Sequence, residues 1–233
     1  MSDPSSFEAR LQARLGYRFA DPQLLDQALT HRSVSAHNNE RLEFLGDGAL
    51  NFVIGAALYA SQPKVEEGAL SRLRASLVRE ETLARLAREL ALGDCMRLGE
   101  SELKSGGYRR DSILADALEA VLGAIYLDGG FAEVQRVVLG LYEEDLRQLP
   151  DPEKLKDAKT RLQEWLQARA RPLPSYEILS ESGPAHARRF QVRCQLADAG
   201  DASEAEGSSR RAAEQCAAER LLGRLEGTEH LNA

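Results

Sequence analysis

Cysteine is scarce: Cys95, Cys194 and Cys216 are the three in 233 residues, standing 99 and 22 positions apart. That excludes a disulfide-stapled scaffold and a zinc ribbon, and it makes a reducing, cytoplasmic location the expectation. Long apolar runs are also missing. The most hydrophobic stretch, Leu50 to Ala60, is about half of what a bilayer span requires, and the start of the chain lacks the basic-then-apolar order of a signal peptide. Neither membrane insertion nor secretion is expected. Nor is there any excess of basic charge. Lys and Arg number 30 against 37 Asp and Glu, a net charge of −7, so any binding of a polyanion must come from local patches.

What is present is helical for most of the length. From Phe7 to about Gln148, apolar residues recur at spacings of three and four. The pattern predicts short helices over Phe7–Leu15 and Asp21–Thr30, the second capped by Asp21 with Pro22 at its first position. A long helix, capped by Asn38 or Asn39, should end near Ser61. Another is expected from Glu66 to Ala91, stopped by Gly93, and then a loop from Leu103 to Arg110. The most hydrophobic helix, Ile113 to Leu127, should start from Asp111 or Ser112, and an amphipathic helix should fill Phe131–Leu149. Pro150-Asp151-Pro152 opens a polar stretch of linker type. The expected organisation is therefore a first domain over residues 1–150, a linker over 151–156, a second domain over 157–227 and a tail over 228–233. The net charge divides as −6 in residues 1–150 and −1 in the remainder. In the second part the period changes from helical to alternating: Phe190, Val192, Cys194 and Leu196 interleave with polar residues, as in a half-buried strand. A helix over Ala158–Arg169, two or three antiparallel strands and a helix over Ser209–Leu225 complete the small α+β module.

The informative acids lie in the two most apolar helices. Glu40, Glu43 and Asp47 fall at i, i+3 and i+7, and Asp116 and Glu119 at i, i+3. Unpaired carboxylates buried among aliphatic neighbours would cost several kcal/mol each, so a cation must offset them. A Lys or Arg could serve, but the two helices offer only Arg41, which points to a different side. A divalent cation shared between the helices accounts for both sets of acids, and an all-oxygen ligand set suits Mg²⁺ or Mn²⁺. Gly46 and Gly48 would keep side chains out of the way where the helices approach. A di-iron bundle would need Glu-x-x-His ligands, and none of His31, His37, His186 or His230 follows an acid by three. No dinucleotide fingerprint or phosphate-binding loop is present.

The octapeptide Glu40-Arg41-Leu42-Glu43-Phe44-Leu45-Gly46-Asp47 resembles the signature helix of the ribonuclease III family. Leu29-Thr30-His31-Arg32-Ser33, Glu67-Gly68, Ser71-Arg72-Leu73-Arg74, Glu102-Leu103-Lys104-Ser105-Gly106-Gly107 and Ile113-Leu114-Ala115-Asp116-Ala117-Leu118-Glu119-Ala120 follow in family order, within a motif core of residues 7–130. The resemblance implies an all-α endonuclease domain followed by a small α-β-β-β-α double-stranded RNA-binding domain. It further implies Glu43, Asp116 and Glu119 as ligands of Mg²⁺, with Mn²⁺ able to substitute, and Asp47 and Glu119 as catalytic acids. Glu40, Glu67 and Glu102 would form a supporting acidic shell. The implied activity is hydrolysis of double-stranded RNA by a homodimer, leaving 5′-phosphate ends and short 3′ overhangs, in maturation of ribosomal and other structured precursors. Phe44 and the apolar face around it are the candidates for the contact between subunits. A non-catalytic duplex-RNA-binding or ribosome-associated protein is the alternative, although it would have no reason to retain four central carboxylates.

Ser209-Arg210-Arg211 open the last helix, and two arginines in a first turn oppose the helix dipole unless an anion binds there. By the same resemblance they would contact RNA phosphates, while Gln163, Glu164 and the loop containing His186 would touch successive minor grooves. Ser203 to Glu206 has poor strand propensity, so an irregular third strand is expected. The acids Asp198, Asp201, Glu204 and Glu206 are expected to sit beside the phosphate-binding helix start and to repel the RNA backbone.

Overall fold

The computed structural model describes residues 4–184, 187–198 and 200–232, which divide into two units between Leu155 and Lys156. In the first unit the helices are α1 (Pro4–Leu15), α2 (Pro22–Ala28), α3 (Glu40–Ser61), α4 (Glu67–Leu77), α5 (Glu80–Glu89), α6 (Glu100–Lys104), α7 (Asp111–Gly129), α8 (Phe131–Leu141) and α9 (Glu143–Arg147). Asp21 caps α2 as expected: its carboxylate accepts the Gln23 N–H at 2.9 Å, and Pro22 takes the first helical position. The continuous helix expected over Glu66–Ala91 is two helices, broken at Val78-Arg79 with neither glycine nor proline at the break. Turning there lets Leu73 and Leu77 on one piece, and Leu83 and Leu86 on the other, all reach the same core. Phe131–Leu149 is likewise divided, at Tyr142. Within the expected Leu103–Arg110 loop region, α6 forms a short helix with no buried residue.

At the centre, α7 is the most buried helix. Ile113, Leu114, Ala117, Leu118, Val121, Leu122 and Ile125 are all enclosed, and α3 packs along it through Leu42, Leu50 and Ile54. Their approach is set by two glycines. A Cβ on Gly46 would lie 1.8 Å from the Glu119 carbonyl oxygen, and one on Gly123 would lie 2.1 Å from that of Leu42. Gly48 does not share this role, since a Cβ there would meet nothing within 4 Å. Residues 151–155, expected as linker, belong to the first unit. Leu155 packs on its core, and the Pro152 carbonyl accepts from Arg72 Nε at 3.3 Å.

In the second unit, α10 (Ala158–Gln167), β1 (Ser175–Ser182), β2 (Arg189–Gln195), β3 (Ala202–Gly207) and α11 (Arg210–Asn232) follow in order. The sheet is antiparallel in the order β1-β2-β3, with Tyr176 opposite Cys194 and Val192 opposite Ala205. The third strand is regular despite its poor propensity. Its small residues Ser203 and Ala205 face inward under α11, and Ser203 Oγ donates to the Ala217 carbonyl at 2.5 Å. Leu162 and Leu166 of α10 join Cys194, Leu196, Ala217 and Leu221 in a second core.

Candidate functional site

Because α3 and α7 meet backbone to backbone, the acids one turn from the crossing are brought together. Carboxylate oxygens of Glu43, Asp116 and Glu119 lie within 4.8 Å of one another, and all three residues are half-buried. Neither Asp116 nor Glu119 is enclosed as the apolar sequence around them implied; both sit on the one side of α7 that its neighbours leave uncovered. Burial pushes the Glu119 carboxyl up to about 8, helped by the charges of Asp47, Glu43 and Asp116. Glu43 is raised by burial and then by Asp116 and Glu40, with Arg32 opposing. Asp116 is raised by burial and by Glu80, against His31 and Arg32. Three carboxylates that resist ionising together, with hard oxygen donors and no ion pair to any of them among the described residues, fit a divalent cation.

A cavity of about 290 Å³ opens beside this cluster, lined among others by Glu40, Glu43, Glu102 and Asp116. His31, Arg32, Asn39 and Arg110 also line it, which sequence reasoning did not assign to the site. The arginines are the basic residues that the two acidic helices lack. Arg32 pairs with Glu40 at 3.3 Å and Arg110 with Glu102 at 3.1 Å. Both come from segments outside α3 and α7. Asp47 is exposed and accepts from Asn51 Nδ2 at 2.7 Å. Glu67 is not brought to this cavity; it is exposed on α4 and accepts from Ser71 Oγ at 2.7 Å.

The chain matches the Ribonuclease-III-like family model over residues 21–146 and the double-stranded RNA binding motif over residues 158–225. It is 59% identical over 216 residues to Ribonuclease 3 of Alkalilimnicola ehrlichii, covering 93% of this chain and 95% of that one. The chain belongs to the ribonuclease III family. A second relative, Ribonuclease 3 of Photorhabdus laumondii, is 55% identical over 217 residues, with 93% and 96% covered. Among solved structures, the nuclease domain of Ribonuclease III from Campylobacter jejuni superposes with a TM-score of 0.58 at 45% identity, covering 60% of this chain and 98% of that one. Family membership makes this chain a double-strand-specific endoribonuclease, with the helical unit as nuclease and the α-β-β-β-α unit as RNA-binding domain.

In the RNA-binding domain, Gln163, Glu164, Ser209, Arg210 and Arg211 are all exposed, whereas His186 lies outside the described residues. Ser209 Oγ accepts the Ala212 N–H at 3.1 Å and so caps α11. Glu214 joins the first turns of the two helices, bound by Lys159 at 2.7 Å and by Arg210 at 2.8 Å. Burial alone would raise its carboxyl, but these two cations hold it below the usual range. Asp157 adds a second brace, accepting from Thr160 N at 3.0 Å and from Gln215 Nε2 at 2.9 Å. Two of the acids expected beside the helix start, Glu204 and Glu206, are oriented otherwise. Glu204 binds Arg193 at 2.7 Å, and with Ser203 and Ala205 facing the helices, Glu204 and Glu206 project from the opposite face of the sheet. Their side chains point away from the face that α11 covers.

Proposed function

We propose that this nuclease is a homodimer that requires Mg²⁺, accepts Mn²⁺ in its place, and cleaves duplex RNA to leave 5′-phosphate ends and short 3′ overhangs. The observation that carries this reading is the Glu43, Asp116 and Glu119 cluster, whose three carboxylates converge within 4.8 Å and suit a divalent cation. Bound there, such a cation supplies a water of lowered pKa and neutralises charge on the phosphate and the leaving oxygen. The protein's part is to hold it. Glu43 on α3 and Asp116 and Glu119 on α7 are the ligands, fixed in mutual distance by the contact of Gly46 with Glu119. Asp47, whose charge acts on Glu119 and which is steadied by Asn51, is the second catalytic acid. Glu40 and Glu102 form an outer acidic shell, and Glu67 acts on the RNA-backbone surface rather than on the cavity. Ser209, Arg210, Arg211, Gln163 and Glu164 grip the duplex, and His186, outside the described residues, is assigned to RNA contact by the family resemblance alone.

Two further features support the dimer. Phe44, Phe52 and Tyr59 are 83%, 63% and 77% exposed along one stripe of α3, an apolar face of the kind that marks an interaction surface. It is continuous with Phe131, whose ring sits 5.5 Å from that of Phe52. The work of such an enzyme is processing of ribosomal RNA precursors and other structured RNAs in the cytoplasm. Glu119→Gln tests the chemistry, because it preserves shape and removes one anionic ligand. Cleavage of duplex RNA should be abolished while duplex binding stays nearly intact. Loss of both in parallel would remove Glu119 from the reaction.

A further inference from the structure

The N-terminus of α3 contains an asparagine whose side chain is not used for capping. Asn39 stands at the N-cap, where an asparagine ordinarily gives its side-chain oxygen to the first turn. Here it makes no such bond, and the Glu40 N–H goes to Asn38 Oδ1 at 3.0 Å instead. The main chain of Asn39 is fully engaged. Its N–H donates to the Thr30 carbonyl and its own carbonyl accepts from Glu43, both at 2.9 Å. The side chain is left over. It is 2% exposed, it lines the acidic cavity with Glu43 and Asp116, and its Nδ2 has no hydrogen-bond partner. A buried donor without an acceptor is destabilising.

Three of the cavity's other donor side chains already have side-chain partners. Arg32 is bound to Glu40 and Arg110 to Glu102, and the His31 ring contacts Ser33 Oγ at 2.8 Å. Asn39 therefore offers a neutral N–H within a set of carboxylates, and what it lacks is an oxygen that carries no proton of its own. A phosphodiester supplies that oxygen. We propose that Asn39 binds the RNA phosphate held in this cavity, donating from Nδ2 to a non-bridging oxygen. The inference rests on the cleavage site proposed above and adds to it a residue outside the acidic set. As a neutral donor it neither competes with a cation for the carboxylates nor pairs with them, so its contribution is confined to the substrate.

The test uses full-length Asn39→Ala and Asn39→Leu beside the wild type. Four quantities are read: single-turnover cleavage of a duplex, the slowing caused by sulfur at each non-bridging position of the scissile phosphate, Mn²⁺ affinity without RNA, and melting temperature in chelator. Mn²⁺ is used throughout because it tolerates sulfur better than Mg²⁺. Both variants should cleave roughly a hundredfold to a thousandfold more slowly, as when one donor to a reacting oxygen is removed. Sulfur at one of the two positions should slow them less than it slows the wild type. Mn²⁺ affinity should hold, and the melting temperature should not fall, because an unpaired buried donor has been removed. A lowered melting temperature, or failure of both variants to fold, would assign Asn39 to the fold and overturn the proposal. A fall in Mn²⁺ affinity would assign it to the cation, and sulfur effects equal to those of the wild type would place its acceptor elsewhere; either overturns it. Absence of Mn²⁺ binding in the wild type would instead strike the cleavage site itself.

Discussion

Gly46→Ala is a one-carbon change that should damage both the fold and the site. The new Cβ would lie 1.8 Å from the Glu119 carbonyl oxygen, 2.6 Å from its carbon and 2.9 Å from the Gly123 nitrogen, all backbone atoms that no rotamer change can move. An ordinary contact begins near 3.4 Å, so α3 and α7 must part by about 1.6 Å at the crossing. Alanine gains about 1 kcal/mol over glycine in helix propensity, but overpacking a close-packed core costs about 1–3 kcal/mol and the separation opens space among Leu42, Leu50 and Leu118 as well. A net loss of about 3 kcal/mol is expected, which for a unit of this size lowers the melting temperature by roughly 10 °C. Glu43 sits one turn from the wedge, so its carboxylate leaves the cluster, and Mn²⁺ affinity by calorimetry should fall at least roughly tenfold. Gly123→Ala, aimed at the Leu42 carbonyl from the other helix, should reproduce both losses. Gly48→Ala is the control, with open space around its Cβ, and should raise the melting temperature by up to a few degrees. A Gly46→Ala protein that melts within 2 °C of the wild type and binds Mn²⁺ equally well would refute the claim that backbone contact between these helices sets the site.

The raised carboxyls give a pH dependence of definite sign. With Glu119 near 8 in the cation-free protein against 4.5 for an unperturbed carboxyl, the folded state holds a proton that the unfolded chain has released between those values. Stability in chelator should therefore be highest below about pH 4.5 as far as this group is concerned, and its contribution should be lost as pH rises through 8; melting curves across that window check it. Cation binding must expel the same proton, so Mn²⁺ affinity should climb from pH 6 to pH 8, and a flat profile would contradict the assignment. In the RNA-binding domain, Arg210→Ala with Arg211→Ala should weaken duplex binding and reduce the salt slope of log K by up to about 2. The pair Glu204→Thr and Glu206→Thr, on the far face of the sheet, should leave duplex affinity unchanged at two salt concentrations, and a clear tightening would show that this face approaches the RNA.

The acids of the site were legible in the sequence because carboxylates at helical spacing in aliphatic helices have no comfortable structural use. Their counter-charges were not. Arg32 and Arg110 each stand eight residues from the acid they bind, Glu40 and Glu102, in the segments that lead into α3 and α7, a spacing at which no single helix or strand pairs side chains. Asn39 was hidden by its position, since an asparagine before a helix reads as a cap and nothing local shows that Asn38 does the work. The break between α4 and α5 carries no turn residue, because it is imposed by the core that both pieces must reach. Propensity misjudged β3 for a related reason. Ala and Ser are poor strand formers in isolation, yet here Ser203 and Ala205 are buried under α11, where Ser203 is tied to the Ala217 carbonyl.

One helix, α3, carries Glu43 of the acidic cluster on one flank and the bare aromatic stripe of Phe44, Phe52 and Tyr59 on the next. A helix of 22 residues behaves as a stiff rod, so its two flanks turn together. In the proposed homodimer, the angle at which two such rods cross would dictate how far apart the two incisions fall along a duplex. Spacing of the cuts becomes a property of the aromatic seam and the rate of each cut a property of the acids, two characters that substitution can change separately although they are written into the same helix.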